Sequence, residues 1–170
     1  MVGARLIVIR GNSGSGKSSV ADGIRAAYGP GIALIEQDHV RRIVFAELDE
    51  PDGANITAIE QLATLALSRG FHVVVEGIMP TSRYAGMLAR LADQHTGPAF
   101  FFYLDVPFDE TARRHASRAK ATAFGVEDMR SWYHHRDLLG VPGETVIDES
   151  STLEQTVDRI VATAGLQRVS

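Results

Sequence analysis

The sequence predicts a three-layer α/β domain built on a parallel sheet, and three features carry that prediction. Five short apolar segments alternate with longer stretches of helical spacing, the order that β-α-β crossovers produce. Three of the segments, LIVI, HVVV and FFFYL, are continuous apolar runs rather than alternating ones, as strands covered on both faces require. The chain has 170 residues, 45% of them hydrophobic and 22% charged, the size and composition of one ordinary globular domain with a real core.

The first strand, Leu6–Ile9, runs into the glycine- and serine-rich stretch RGNSGSGKSS, after which SSVADGIRAAYG has helical spacing. The second strand, Ala33–Ile35, leads to EQDHVRR, where Asp38 suits the N-cap of a helix through VRRIVFAEL. Residues 47–55, ELDEPDGAN, form the clearest polar loop. Thr57 and Glu60 read as a capping box opening ITAIEQLATLALSRG, and Gly70 closes that helix. The third strand, His72–Val75, ends at Glu76, and the loop beyond it carries Arg83 and Tyr84. The fourth strand spans Ala99–Leu104, and Pro107 suits the first turn of PFDETARRHASR. Residues 119–127 read as a short lid, followed by a helix from Val126 on which His134 and His135 point to different sides. The last strand is Thr145–Ile147, and Ser151 with Glu154 reads as the capping box of the last helix. No repeat, low-complexity tract or linker divides the chain, so residues 1–170 are expected to form a single domain.

Composition narrows the function. No apolar stretch approaches the roughly 20 residues of a membrane-spanning helix, and the N-terminus lacks a signal-peptide layout. Cysteine is absent, which removes disulfides and thiolate metal sites. Together these favour a cytoplasmic protein with no membrane partner. A net charge of −4 argues against a surface built for nucleic acid. Lys17 and Lys120 are the only lysines; arginine carries the remaining positive charge and is the better fork for oxyanions.

Gly11-Asn12-Ser13-Gly14-Ser15-Gly16-Lys17-Ser18 fits G-x-x-x-x-G-K-[ST], with a strand before it and a helix after it. The glycines let the backbone wrap so that successive N–H groups turn towards one point. The following helix, entered through Ser18 and Ser19, adds free N-terminal amides and the positive end of its dipole. Lys17 is placed to reach outer phosphates and the Ser18 hydroxyl to ligate Mg²⁺. A chance glycine-serine turn would not also have a strand and a helix in the right order. The loop reads as a phosphate cradle.

With GNSGSGKSS, EQDHVRR, HVVVEG and LDVPFDETARRHASR, the chain resembles the P-loop kinases of the nucleoside-monophosphate-kinase-like group over nearly its whole length. More narrowly it is similar to small bacterial phosphotransferases of the chloramphenicol-phosphotransferase and zeta-toxin types. The resemblance implies a five-stranded sheet of order 2-3-1-4-5 and MgATP on the phosphate loop. It also implies an acceptor beyond the second and third strands and an arginine-bearing lid. No motif identifies the acceptor, and ATP rather than GTP is the default by resemblance alone.

Three further groups are candidates. Asp38 follows the second strand at the carboxyl edge of the sheet, where ligands of open α/β sheets bind. There it either accepts the proton of an acceptor hydroxyl or caps its helix, and the two roles are compatible; Glu36 and His39 are weaker alternatives. Arg41 and Arg42 lie in the first turn after it, where positive charge is locally unfavourable, so contact with an acceptor or a phosphate competes with a solvated role. Glu76 ends a buried strand, where an acid suits the water shell of Mg²⁺ or the acceptor; Arg83 is a candidate acceptor contact near the same edge. Arg114 and Arg118, four apart, share a helix face. By resemblance they belong to the lid that closes over the transferring phosphoryl group, where they offset its charge.

The expected function is an ATP-dependent phosphotransferase acting on a hydroxyl of a small molecule such as a nucleoside, a sugar derivative or an antibiotic. The alternatives are a nucleotide-dependent regulatory ATPase, a polynucleotide 5′-kinase and a zeta-like nucleotide-sugar kinase. Oligomeric state is not legible.

Overall fold

The computed structural model describes residues 3–117 and 124–167. Five strands, β1 (Leu6–Gly11), β2 (Ile32–Glu36), β3 (His72–Gly77), β4 (Ala99–Asp105) and β5 (Thr145–Asp148), form one sheet of order β2-β3-β1-β4-β5. Every pairing is parallel, as the predicted crossovers require. Among the described residues seven α-helices flank it: α1 (Lys17–Tyr28), α2 (Gln37–His39), α3 (Ala54–Ser68), α4 (Thr81–Gln94), α5 (Phe108–Ala116), α6 (Val126–Trp132) and α7 (Leu153–Thr163).

The continuous apolar strands feed two cores because alternate residues face opposite sides. Leu6, Val8, Val73 and Val75 pack with Ile56, Ile59, Tyr84 and Leu88 of α3 and α4. Ile7, Ile9, Val74 and Phe102 pack on the other side with Val20, Ile24, Val157 and Ile160 of α1 and α7. The strand order sets the ends of β1 and β3 side by side, with Ile9 opposite Glu76 and Arg10 opposite Gly77. Since β1 leads away towards β2 and β3 leads back towards β4, this is the switch point where a crevice opens. No helix among the described residues is long and apolar enough to cross a membrane.

Four local expectations are corrected. Helix α3 starts at Ala54, so Thr57 and Glu60 lie inside it. Its N-terminal amides are held by a distant side chain: Glu47 accepts from the Asn55 N–H at 2.6 Å, from Asn55 Nδ2 at 2.7 Å and from the Ala54 N–H at 3.1 Å. Helix α7 is capped one residue later than expected, by Thr152 and Gln155, because the Ser151 hydroxyl is engaged with Thr156 at 2.8 Å. After β2 the chain makes one α-turn and then a π-helical turn, Val40–Val44, in place of a long helix. Ile43 and Val44 are exposed there, so no buried face sustains a longer helix. Asp38 does not cap it; Glu36 stands at that position and Asp38 lies in the first turn. Finally, α6 ends at Trp132; His134 and His135 lie beyond it, His135 in a turn with Arg136. The Asn12 amide holds that segment, donating to the His134 carbonyl at 2.7 Å and accepting from its N–H at 2.8 Å.

Candidate active site

The phosphate loop leaves β1 at Gly11 and enters α1 at Lys17, with Gly14 (φ 79°) and Gly16 (φ 102°) in the left-handed region that favours glycine. At Gly14 the need is double, since a Cβ would also stand 2.7 Å from the Thr111 carbonyl oxygen. Lys17 is buried, and its ammonium lies across the loop, donating to the Asn12 carbonyl at 2.8 Å and the Ser15 hydroxyl at 3.4 Å. That position puts the charge over the amides of the loop rather than out in solvent. Ser13 and Ser19 belong to the loop and to the first turn of α1, as expected.

The Ser18 hydroxyl donates to Glu76 Oε1 at 3.0 Å, which joins the first turn of α1 to the end of β3. Glu76 is 4% exposed. A hydroxyl and a buried carboxylate this close form a hard oxygen pair of the kind that Mg²⁺ accepts. Among the described residues no group of three His, Cys, Asp or Glu side chains could hold a metal alone. An ion at this pair would therefore complete its shell with water and phosphate oxygens, its usual habit.

Arg114 reaches the loop from α5. Its Nη1 donates to the Ser15 carbonyl at 3.2 Å, while Nε donates to Glu110 at 2.7 Å. Glu110 also takes both donors of Arg113, and the two arginines, Arg113 first, hold its carboxyl down at about 2. Arg118 lies outside the described residues, as do residues 119–123 of the expected lid.

Beyond β2 the structure draws Asp38, Arg41 and Arg42 together and leaves Arg83 apart. Asp38 accepts from Arg41 at 3.1 Å and lies 3.7 Å from Arg42. Arg83 instead donates to Asp49 at 2.8 Å, and Asp49 accepts from the Tyr84 hydroxyl at 2.8 Å. That hydroxyl also bonds Asn55 at 2.9 Å and Gln37 at 2.8 Å, which pins the polar loop to α4 and to the end of β2. Burial, then the carboxylate of Asp49, pushes the Tyr84 phenol well above its ordinary range.

Sequence reasoning missed two parts of the site. The first is Arg10, 1% exposed, directly before the loop. Its Nη2 lies 2.7 Å from Asp137, Nη1 lies 3.8 Å from Glu144, and Nε donates to the Met79 carbonyl at 3.0 Å. Met79 is held at φ 41°, a costly conformation for a non-glycine residue, with this bond on its carbonyl. Asp137 also accepts from the backbone and hydroxyl of Thr81 at 2.8 and 2.6 Å, capping α4. Desolvation works to raise its pKa, but the Thr81 bonds and Arg10 outweigh it and leave the carboxyl below its usual range. The signal was an arginine ending an apolar strand, unreadable without its distant partner. The second part is a cleft of about 430 Å³ beside Ser15, Ser19 and Arg114, walled by Ile147 and by the turn through Ser150 and Thr152. No motif in DESST announces it.

A family model described as AAA domain matches residues 6–134. No curated protein sequence matches the chain. Among solved structures, the APS kinase CysC of Mycobacterium tuberculosis in complex with AMPPNP and APS is similar at a TM-score of 0.70, with 19% identity over 95% of this chain and 98% of that one. A gluconokinase from Sinorhizobium meliloti 1021 is similar at 0.67, with 20% identity over 97% and 94%. The tunicamycin resistance protein of Deinococcus radiodurans is similar at 0.66, with 16% identity over 98% and 99%. At these identities the likeness is one of fold.

Proposed function

Because the chain belongs to the AAA domain family, we propose that it is a phosphotransferase that moves the γ-phosphoryl group of ATP to a hydroxyl of a small molecule. The observation that carries this reading is the 3.0 Å contact of Ser18 with Glu76, set beside the phosphate loop and at the same sheet edge as Asp38. Two of the three similar structures bear kinase names, which supports the reaction class.

In this reading the loop amides and Lys17 bind the β- and γ-phosphates, and the 430 Å³ cleft takes the nucleoside. Arg114, anchored by Glu110 and touching the loop, offsets charge on the transferring group. Arg118, outside the described residues, is assigned the same task by the resemblance alone. Mg²⁺ fits Ser18 directly and Glu76 through water, and when bound supplies neutralisation of phosphate charge. Asp38, oriented by Arg41, orients or deprotonates the acceptor hydroxyl. The acceptor oxygen bonds to the γ-phosphorus as the bond to the β–γ bridging oxygen breaks. ADP leaves and the acceptor proton passes through Asp38 to solvent. Arg41, Arg42 and Arg83 lie along the acceptor edge.

The test is mass spectrometry of nucleosides, nucleotide-sugars, sugars and hydroxylated antibiotics incubated with MgATP and the protein. A phosphorylated product that is lost with Lys17→Ala supports the reading. ATP consumed with no product in any panel contradicts it and favours a regulatory ATPase.

A further inference from the structure

We infer that the acceptor carries no anionic group: it is a neutral or cationic hydroxyl compound. This rests on the phosphotransferase reading and adds the charge class of its second substrate. An anionic acceptor requires arginines whose donors and charge are available to it. At this edge each candidate arginine already faces a carboxylate. Asp38 holds Arg41 at 3.1 Å and Arg42 at 3.7 Å, and Asp49 holds Arg83 at 2.8 Å.

Single exposed ion pairs are weak, and one of them alone would yield to a phosphate. The surplus charge decides the matter. Residues 36–55 carry six acidic side chains and two arginines, and adding Arg83 makes six against three. Two of the acids are tied into the structure at this edge: Glu47 is spent on the first amides of α3, and Asp49 on Arg83 and Tyr84. On the phosphate side Lys17 lies over the loop amides, and Arg114, paired with Glu110, adds an N–H donor on the loop. The edge thus repels a second anion while the loop attracts the first, and electrostatic complementarity of this kind sorts substrates more than it tightens them. Arg41, whose buried Nε has no hydrogen-bond partner, and Arg83 contribute N–H donors to hydroxyls here, while the acids of the edge outnumber its arginines.

Two measurements test this. Acceptors are assayed with MgATP in matched pairs: a nucleoside and its monophosphate, glucose and gluconate, an amino sugar and its N-succinyl derivative. The neutral or cationic member is expected to exceed its anionic partner in kcat/KM by on the order of 10²-fold, the size of a like-charge penalty of a few kcal/mol. Asp49→Asn, which leaves Arg83 without its carboxylate, narrows that gap. Preference for the anionic member overturns the inference and leaves the phosphotransferase reading intact. No product from any pair overturns the phosphotransferase reading. The second measurement is independent of turnover: NMR titration of the wild-type protein with sulfate. Amides of Gly14 and Gly16 are expected to shift while the Nε–H signals of Arg41, Arg42 and Arg83 do not. Saturable millimolar binding of sulfate at those guanidinium groups overturns the inference.

Discussion

In the proposed reaction transfer depends most simply on Lys17, whose ammonium lies over the loop and is the only lysine among the described residues. Lys17→Ala is expected to abolish transfer and leave the melting temperature close to wild type. An unfolded variant, or one with unchanged turnover, contradicts that role. Asp38→Asn is expected to keep ATP affinity and lose on the order of 10²–10⁴-fold in transfer rate, the range of general-base catalysis. Loss of ATP binding in that variant makes Asp38 structural instead. Glu110 makes a different prediction, one about pH. Its carboxyl, held at about 2 against an ordinary 4.5, stabilises the fold fully above the unfolded value, and that contribution is lost as pH falls towards the folded one. The difference in melting temperature between wild type and Glu110→Gln is therefore expected to be largest at neutral pH and to shrink below about 4.5. The phosphate-loop residues were legible because their spacing is itself the chemistry. Arg10 and Asp137 were not, because a pair 127 residues apart leaves no local pattern.

Elements are joined near the site by contacts that substitution can separate. Asp137 ties Arg10 at the end of β1 to Thr81 at the start of α4. Removing it leaves a buried guanidinium without its main partner, and Asp137→Ala is expected to cost about 3 kcal/mol, the low end for a broken buried pair. Arg10→Met combined with Asp137→Leu is expected to recover only part of that loss, since an apolar pair removes the stranded guanidinium but leaves Glu144 and the Met79 carbonyl without Arg10. Denaturant unfolding reads both. Helix α1 meets α7 at Gly23, where a Cβ would stand 2.7 Å from Val157 Cγ2. Gly→Ala inside a helix gains about 1 kcal/mol in propensity, whereas overpacking costs about 1–3 kcal/mol. Gly23→Ala is thus expected to destabilise, and Val157→Ala in the same chain to relieve it. The starts of α3 and α7 were misread for a common physical reason. Several residues could cap each end, and the choice fell to side chains from elsewhere, Glu47 for α3 and Thr156 for Ser151.

At the scale of the molecule, apolar runs predicted the parallel sheet, and the observed order β2-β3-β1-β4-β5 agrees with the resemblance. That order builds the candidate site, because its β1–β3 pairing sets the loop after β1 beside the end of β3. The cleft under the turn after β5 was illegible, since a binding wall made of a short polar turn has the composition of any other turn. The same topology sets Lys17 and the Arg114–Glu110 pair by the phosphate loop, and Asp38 and Asp49 with Arg41, Arg42 and Arg83 at the edge beyond β2 and β3. The central claim is phosphoryl transfer to a hydroxyl, and its most direct test uses γ-labelled ATP with magnesium, the acceptor panel and mass detection, run on wild type beside Asp38→Asn. The account predicts label in a phosphate ester of a small molecule with wild type and only traces with the variant. Label released solely as inorganic phosphate, at equal rates for both proteins, would contradict it.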